Sequence, residues 1–295
     1  MKISRNSNIE KSPDDGRPRG LFIMDLDGTL LRSDRTFAGP DLLALRKLGD
    51  LNIARAVATG RSLASFNTVV VPDLPVDYII FSTGAGVLRF QDNEIIRKVH
   101  LEPGEVSRAC DILAQCRLDF MVHRTIPNNH MFAYLRSNDG NVDFERRIEI
   151  YRQFAIPLKN SAVDFGPATQ LLAVVPPGQA TAALAEVRNA LTEYNVIQTT
   201  SPLDGQATWI EVFPATVSKS QTAAWLADSL GVDGSSVVSV GNDYNDLDLL
   251  EWSAGSYVVR NAPEDIKTRF TRVASNNDGG VAEAAEHWIK KRYTV

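Results

Sequence analysis

The chain has little cysteine, little histidine and no long apolar run, and each shortage excludes a class of protein. Only two cysteines, Cys110 and Cys116, and four histidines, His100, His123, His130 and His287, occur in 295 residues. The cysteine spacing fits no zinc or thioredoxin-type motif, and two thiols do not make a disulfide framework. They read as reduced thiols in or near a helix, which implies a reducing, cytoplasmic compartment. Histidines this scattered do not make a zinc site. No apolar run approaches the roughly 20 residues that cross a bilayer, so a membrane is not expected as a partner. Basic residues are not in excess either: 31 Lys and Arg against 36 Asp and Glu leave a net charge of -5. With no basic stretch to offset that charge, nucleic acid is not an expected partner. Residues 1–19 carry Lys2, Arg5, Lys11, Arg17 and Arg19 among Ser, Asn and Pro. No apolar segment follows Met1, so they read as a disordered leader and not as a signal peptide.

What is present is a pattern that changes twice. Gly20 to Met24 is a short apolar run closed by Asp25-Leu26-Asp27-Gly28, the pattern of a buried strand ending in a polar turn. Pro40 to Leu51 has apolar residues at 42, 43, 45, 48 and 51, which is helical spacing. Ile53–Ala58 and Tyr78–Phe81 are two more apolar strands, ended by Thr59-Gly60-Arg61 and Ser82-Thr83-Gly84. Strand, helix, strand, helix, strand is the signature of a parallel sheet with crossover helices. From about Val87 to Gly205 the order is less regular. Candidate strands lie near 87–90, 95–99, 120–124, 130–136 and 170–175, and candidate helices near 103–117, 141–154 and 178–194, an α+β pattern. After Gly205 the first pattern returns, with strands at Trp209–Phe213 and Ser236–Val240 around a helix at Ser218–Leu230. Short strands at 257–259 and 272–274 and a helix at Gly280–Lys290 close the chain. A length of 295 residues exceeds one comfortable core. The expected fold is α/β: a Rossmann-like parallel-sheet core, residues 20–86 plus 206–295, with an α+β cap inserted over 87–205.

The chemistry is concentrated where strands end. Asp25 and Asp27 sit two apart at the carboxyl end of a buried strand, where side chains share a face at roughly 6.5–7 Å. Ligands of open α/β sheets bind at that edge. Two carboxylates so placed suit one metal ion and a phosphate between them. One can attack phosphorus to form an aspartyl phosphate. The other can protonate the leaving alcohol and then activate water. Gly28 lets the chain turn sharply and Thr29 can bond the turn. Thr59 offers a hydroxyl and a backbone N–H to a phosphate oxygen. Lys219 opens a helix, where its charge opposes the helix dipole, a mild penalty that points to a job beside negative charge. The acidic turn Asn242-Asp243-Tyr244-Asn245-Asp246 closes another buried strand and also caps the helix behind it. Magnesium takes an octahedron of oxygens and keeps several waters, so one or two side chains of this turn can complete a shell begun by Asp25 and the Asp27 carbonyl. Arg61 either reaches the substrate or pairs with a core carboxylate. In the middle region His123, Arg124, His130 and Tyr134 surround a Pro-Asn-Asn turn, and Arg124 is placed to grip a second anionic group or a sugar hydroxyl.

Asp25-Leu-Asp-Gly-Thr29, Thr59-Gly-Arg61, Lys219 and Gly241-Asn-Asp-Tyr-Asn-Asp246 stand in the order of the four motifs of the haloacid dehalogenase superfamily, and the chain resembles its members. Ser82-Thr-Gly-Ala85, Asn261-Ala-Pro-Glu264 and Asn276-Asn-Asp-Gly-Gly-Val281 resemble signatures of the Cof-like branch, which carries a large cap between the second and third motifs. The resemblance implies Asp25 as nucleophile and Asp27 as acid/base and carbonyl metal ligand. It implies phosphate binding by Thr59, Gly60, Lys219 and Asn245, and magnesium held by Asp25, Asp27, Asn242 and Asp246. One departure matters: the family's fourth motif usually reads Gly-Asp, and here that acidic position is Asn242. Either the metal shell has lost a charge or Asp243 substitutes by a one-residue shift. The expected activity is hydrolysis of a small phosphorylated metabolite, a sugar phosphate foremost, by a cytoplasmic monomer or weak homodimer. The alternatives are a phosphomutase and a catalytically weak phosphometabolite-binding protein.

Overall fold

The computed structural model describes residues 16–158, 165–203 and 205–293; most of the expected leader, residues 1–15, lies outside them. From Gly20 the chain forms β1 (Gly20–Asp25), α1 (Gly39–Asp50), β2 (Ile53–Ala58), the short α2 (Leu63–Phe66) and β3 (Tyr78–Phe81). A 3-10 turn at Ser82–Gly84 then leads into a hairpin of β4 (Gly86–Arg89) and β5 (Glu94–Lys98). The middle region runs α3 (Pro103–Gln115), β6 (Asp119–His123), β7 (Phe132–Leu135), α4 (Val142–Ile150), β8 (Ala155–Pro157), β9 (Gln170–Val175), α5 (Ala180–Ala190), β10 (Tyr194–Thr200) and β11 (Thr208–Pro214). The last part is α6 (Lys219–Leu230), β12 (Val237–Gly241), α7 (Leu247–Trp252), β13 (Gly255–Val259), α8 (Glu264–Lys267), β14 (Thr271–Val273) and α9 (Gly280–Tyr293).

The first sheet has the order β14-β13-β12-β1-β2-β3-β4-β5, parallel from β14 to β3 and antiparallel through β4 and β5. β1 is buried along its whole length, because successive side chains point to opposite faces and helices cover both. Leu21 and Ile23 pack with Ala223, Leu226 and Leu249 of α6 and α7. Phe22 and Met24 pack with Leu45, Leu48 and Trp288 of α1 and α9. Each such fully buried side chain contributes roughly 1.5–3 kcal/mol. The chain moves from β1 to β2 on one side, and much later reaches β12 on the other. That reversal opens a crevice at the carboxyl ends of β1 and β12, the place where α/β sheets bind ligands. Asp25 ends one of these strands and Gly241 the other.

The second sheet, β10-β11-β9-β6-β7-β8, is antiparallel apart from β7 with β8. α3 and α5 cover one face, packing Val106, Leu113 and Val187 on Phe120, Val122, Leu171 and Ile210. The opposite face carries Met121, Leu172 and Trp209, with Phe144 of α4 packed on them. That face meets the first domain, where Asn129 Nδ2 donates to Ser82 Oγ at 2.6 Å and Thr83 Oγ1 donates to Glu211 at 3.2 Å.

Strand pairing moves both expected domain boundaries. β4 and β5, assigned by pattern to the cap, extend the core sheet, whereas β11, assigned to the core, is a central strand of the second sheet. The reason is burial. β11 is covered on one side by the helices through Ile210 and Val212, and on the other Phe213 joins the first domain's core. A strand buried on both faces reads the same in a parallel or an antiparallel sheet. The helix expected over 178–194 ends at Ala190, and β10 follows it unforeseen. Among the described residues no helix is long and apolar enough to cross a membrane.

Candidate functional site

At the crevice a fully buried lysine joins two carboxylates. Lys219 Nζ donates to Asp25 Oδ1 and to Asp246 Oδ1, both at 2.6 Å. Ser218 caps α6 by accepting from the Gln221 N–H, which fixes the first turn and aims Lys219 across the sheet edge. This explains a lysine at the unfavourable end of a helix: neighbouring carboxylates outweigh the dipole. Burial pulls the Lys219 ammonium down, but Asp246 and Asp25 overcome it and hold its pKa above the ordinary lysine value. Burial is the largest influence on Asp25 and pushes its carboxyl up to about 8; Lys219 opposes this, while Asp246 and Asp27 add to it. Asp25 therefore needs more positive charge than Lys219 alone to stay fully ionised at neutral pH.

Asp27 is held differently. Arg61 grips it with Nε on one oxygen and Nη2 on the other, each at 2.7 Å. Of the two roles open to Arg61, the structure shows pairing with a carboxylate, and that carboxylate is Asp27 itself. The Thr59–Gly60–Arg61 loop is pinned by hydrogen bonds, among them Ser82 N–H to Arg61 O at 2.9 Å. Thr59 N–H donates to Ile80 O at 2.8 Å, and Thr59 O accepts from Thr83 N–H at 3.0 Å. Thr59 Oγ1 accepts from Arg61 N–H at 3.1 Å. The backbone donor expected of Thr59 is thus spent on the sheet, while its hydroxyl proton and the neighbouring Gly60 N–H have no partner among the described residues. Asn245 is buried, and a Cβ on Gly60 would lie 3.8 Å from its Nδ2. Thr59, Gly60, Asn245, Lys219 and Asp25 are therefore brought to one end of the crevice.

The fourth-motif turn resolves into separate jobs. Asp246, expected on the metal, has Oδ1 on Lys219, and its Oδ2 accepts from the N–H groups of Asn242 at 2.8 Å and Asp243 at 3.1 Å. Both oxygens are engaged, so it orients Lys219 and the turn. Asp243 accepts from Thr200 N–H at 2.9 Å and Thr200 Oγ1 at 2.8 Å, which ties this turn to β10 of the second domain. Held by Thr200, Asp243 is turned toward the second domain, so this structure does not show the one-residue shift. Asn242 points in. One terminal atom of its amide lies 3.0 Å from Thr29 Oγ1, 3.1 Å from Asp25 Oδ2 and 3.0 Å from the Asp27 carbonyl oxygen. Gly28 (φ +75°) passes directly beneath, where a Cβ would come within 2.7 Å of that amide.

These spacings fit magnesium. Adjacent oxygens of an octahedron with metal–oxygen distances of 2.0–2.1 Å lie about 3 Å apart. With its oxygen turned inward, Asn242 accepts from Thr29 Oγ1 and forms such a set with Asp25 Oδ2 and the Asp27 carbonyl, one that would suit a cation. With its nitrogen inward, the amide itself donates to those oxygens. Asp25, Asp27 and Asn242 are the residues that would hold the ion.

Sequence reasoning misplaced the cap contact. Arg124 continues the alternation of Phe120 and Val122 onto the helix-covered face, and its guanidinium stacks over Phe165 at 5.2 Å. It is exposed and turned away from the crevice. His123, one residue earlier, faces the first domain. The residues that face the crevice from this domain, among them Arg147, Gln170 and Glu211, belong to no motif. The only sequence signal of Gln170 and Glu211 is alternation within strands whose neighbours were unknown, and Arg147 is one of several charged residues on α4.

The family model for haloacid dehalogenase-like hydrolases matches residues 22–284. The chain belongs to that family. Among curated proteins it is 22% identical over 292 residues to the 5-amino-6-(5-phospho-D-ribitylamino)uracil phosphatase YwtE of Bacillus subtilis, covering 92% of this chain and 98% of that one. Among solved structures it shares the fold of the phosphatase BT1666 from Bacteroides thetaiotaomicron, with a TM-score of 0.73, 20% identity, and 96% and 99% of the two chains covered. It also shares the fold of the sugar phosphatase BT4131, at a TM-score of 0.69 and 17% identity over 91% and 98% of the two chains. The enzyme class these haloacid dehalogenase-like matches have in common is phosphatase, a phosphoric monoester hydrolase.

Proposed function

We propose that this hydrolase is a magnesium-dependent phosphatase that cleaves a small sugar phosphate through an aspartyl phosphate on Asp25. The observation that carries the reading is the geometry of Asp25: buried at the sheet's switch point, one oxygen on Lys219 and the other toward Asn242 and the Asp27 carbonyl. Asp25 Oδ1 attacks phosphorus, the bond from phosphorus to the ester oxygen breaks, and Asp27 gives that oxygen a proton. Water then attacks the phosphorus of the acyl phosphate and passes its proton to Asp27. The bond to Asp25 breaks, releasing inorganic phosphate. Arg61, on both oxygens of Asp27, holds that carboxylate in place for both proton transfers. Thr59, Gly60, Asn245 and Lys219 bind the transferred phosphoryl group. Magnesium, when bound, supplies charge that offsets the phosphoryl oxygens and keeps Asp25 ionised.

Two relatives support a polyhydroxylated leaving group, since a ribityl phosphate and a sugar phosphate both join phosphate to a chain of hydroxyls. The free thiols fit a cytoplasmic protein, acting as a monomer or weak homodimer. Phosphate release from p-nitrophenyl phosphate with and without magnesium tests the reading, and no release under either condition sinks it. Isomerised sugar phosphate without free phosphate would mark a phosphomutase instead. A second reading rests on Asn242: with its nitrogen inward the site needs no cation, and the chain is then a metal-free phosphometabolite binder. Ligand binding that is indifferent to magnesium and unaccompanied by turnover would favour it.

A further inference from the structure

Opposite the crevice, on the crevice-facing side of the second sheet, sits a guanidinium with no hydrogen-bond partner among the described residues. Arg147, on α4, places its guanidinium carbon over two aromatic rings, 4.4 Å from the Trp209 ring centre and 5.3 Å from that of Tyr151. Its Nε is cut off from solvent and unbonded. The carboxylates within its electrostatic reach are Glu211 and Asp143, and both are already engaged. Glu211 accepts from Thr83, Thr199 and Gln170; Asp143 accepts from Ser201 Oγ at 2.9 Å and Trp209 Nε1 at 2.7 Å. Among the described residues neither forms an ion pair with Arg147. Arg147 is partly buried, and among the described residues its guanidinium has no carboxylate partner. A guanidinium held beside two rings with its donors unspent suits a planar or tetrahedral oxyanion.

Two chains of contacts link the arginine to the reacting end. Tyr151, which stacks on it, lies within electrostatic reach of Arg61, and Arg61 holds Asp27. Glu211 is bonded to Thr83, whose N–H holds Thr59. Two further buried atoms on this face, His123 Nε2 and Asn129 Oδ1, also lack partners. His123 Nδ1 lies 2.8 Å from the Asn129 carbonyl and is therefore the protonated nitrogen, which leaves Nε2 as an acceptor.

We propose that Arg147 binds a second anionic group, a carboxylate or a second phosphate, on the leaving group of the substrate, with His123 Nε2 and Asn129 Oδ1 accepting from hydroxyls beside it. This rests on the phosphatase reading and narrows its substrate to a phosphate ester that carries a further acid. The test compares full-length wild type with Arg147→Met, which keeps the apolar stem against Trp209. Both are assayed with magnesium on p-nitrophenyl phosphate, glucose 6-phosphate, 3-phosphoglycerate and fructose 1,6-bisphosphate. Wild type should prefer 3-phosphoglycerate or the bisphosphate to glucose 6-phosphate, and whichever is preferred identifies the acid as carboxylate or phosphate. In Arg147→Met the ratio of kcat/KM on that substrate to kcat/KM on p-nitrophenyl phosphate should fall at least tenfold. In an Asp25→Asn background the same compound should raise Tm, and adding Arg147→Met should remove that rise. An unchanged ratio, or no preference for the acidic substrates by an active wild type, overturns the assignment. Absence of any phosphate release would instead overturn the phosphatase reading, and the Tm arm would still decide whether Arg147 binds the acid.

Discussion

Replacing Asn242 with aspartate should make the protein depend on magnesium for stability as well as for turnover. The amide atom that faces the site lies 3.1 Å from Asp25 Oδ2 and 3.0 Å from the Asp27 carbonyl oxygen. A carboxylate oxygen in its place sets two negative charges about 3.1 Å apart. Coulomb's law gives a repulsion of about 5 kcal/mol at an effective dielectric constant near 20, falling to about 1.3 kcal/mol if the crevice is as wet as bulk water. Without metal, and above about pH 8 where Asp25 is ionised, Asn242→Asp should therefore lose about 1–5 kcal/mol, or roughly 2–8 °C in Tm for a chain of this size. Magnesium relieves the repulsion, so its affinity should rise at least tenfold, about 1.4 kcal/mol. Thermal denaturation in EDTA and across a magnesium titration, together with calorimetric metal binding, measures both effects without relying on turnover. If Asn242→Asp melts like wild type in EDTA and binds magnesium no tighter, residue 242 does not face the ion and the oxygen set is wrong. A sharp rise in the magnesium requirement of Asp243→Asn would then show that Thr200 does not hold Asp243 in solution.

Three other outcomes are expected. Asp25→Asn should abolish phosphate release while leaving the circular dichroism spectrum unchanged, and retention of more than a small fraction of activity would refute the covalent route. Lys219→Met should leave two buried carboxylates unpaired and cost about 3–5 kcal/mol in urea unfolding at pH 7; a loss under 1 kcal/mol would mean that water or a cation already shares that role. His123 is buried neutral, its pKa lowered to about 3 chiefly by desolvation. The unfolded chain takes up that proton below about pH 6.5 and the folded chain does not. The resulting stability is present above pH 6.5 and is lost as pH falls toward 3, at up to about 1.4 kcal/mol per pH unit. His123→Asn should flatten stability between pH 6.5 and 5 by about 2 kcal/mol, and an unchanged slope there would show that His123 is not the titrating group.

The nucleophile candidate, its aspartate neighbour and the lysine were legible because their positions are set locally. A short apolar run, an acidic turn and a glycine define the carboxyl end of a buried strand wherever the rest of the chain goes. The parallel core was legible for the same reason, since alternating apolar strands and amphipathic helices permit few other arrangements. The division of labour inside the fourth motif was not. Asn242, Asp243 and Asp246 are all good oxygen donors on paper. Which one faces the crevice depends on a turn in which Asp246 accepts two backbone N–H groups and Asp243 is drawn off by Thr200 on another domain. The same holds for β11, whose double burial hides its sheet, and for Arg124 and Arg147. Strand alternation turned Arg124 outward, and Arg147 was indistinguishable from the other charged residues of α4 until the fold set it over Trp209 and Tyr151. By itself the sequence determined which strand ends carry the chemistry, because hydrophobic periodicity and turn residues act over a few positions. Only the tertiary structure decided which charges meet across the crevice, because those pairings join residues up to 194 positions apart, and their energies depend on burial that no local pattern encodes.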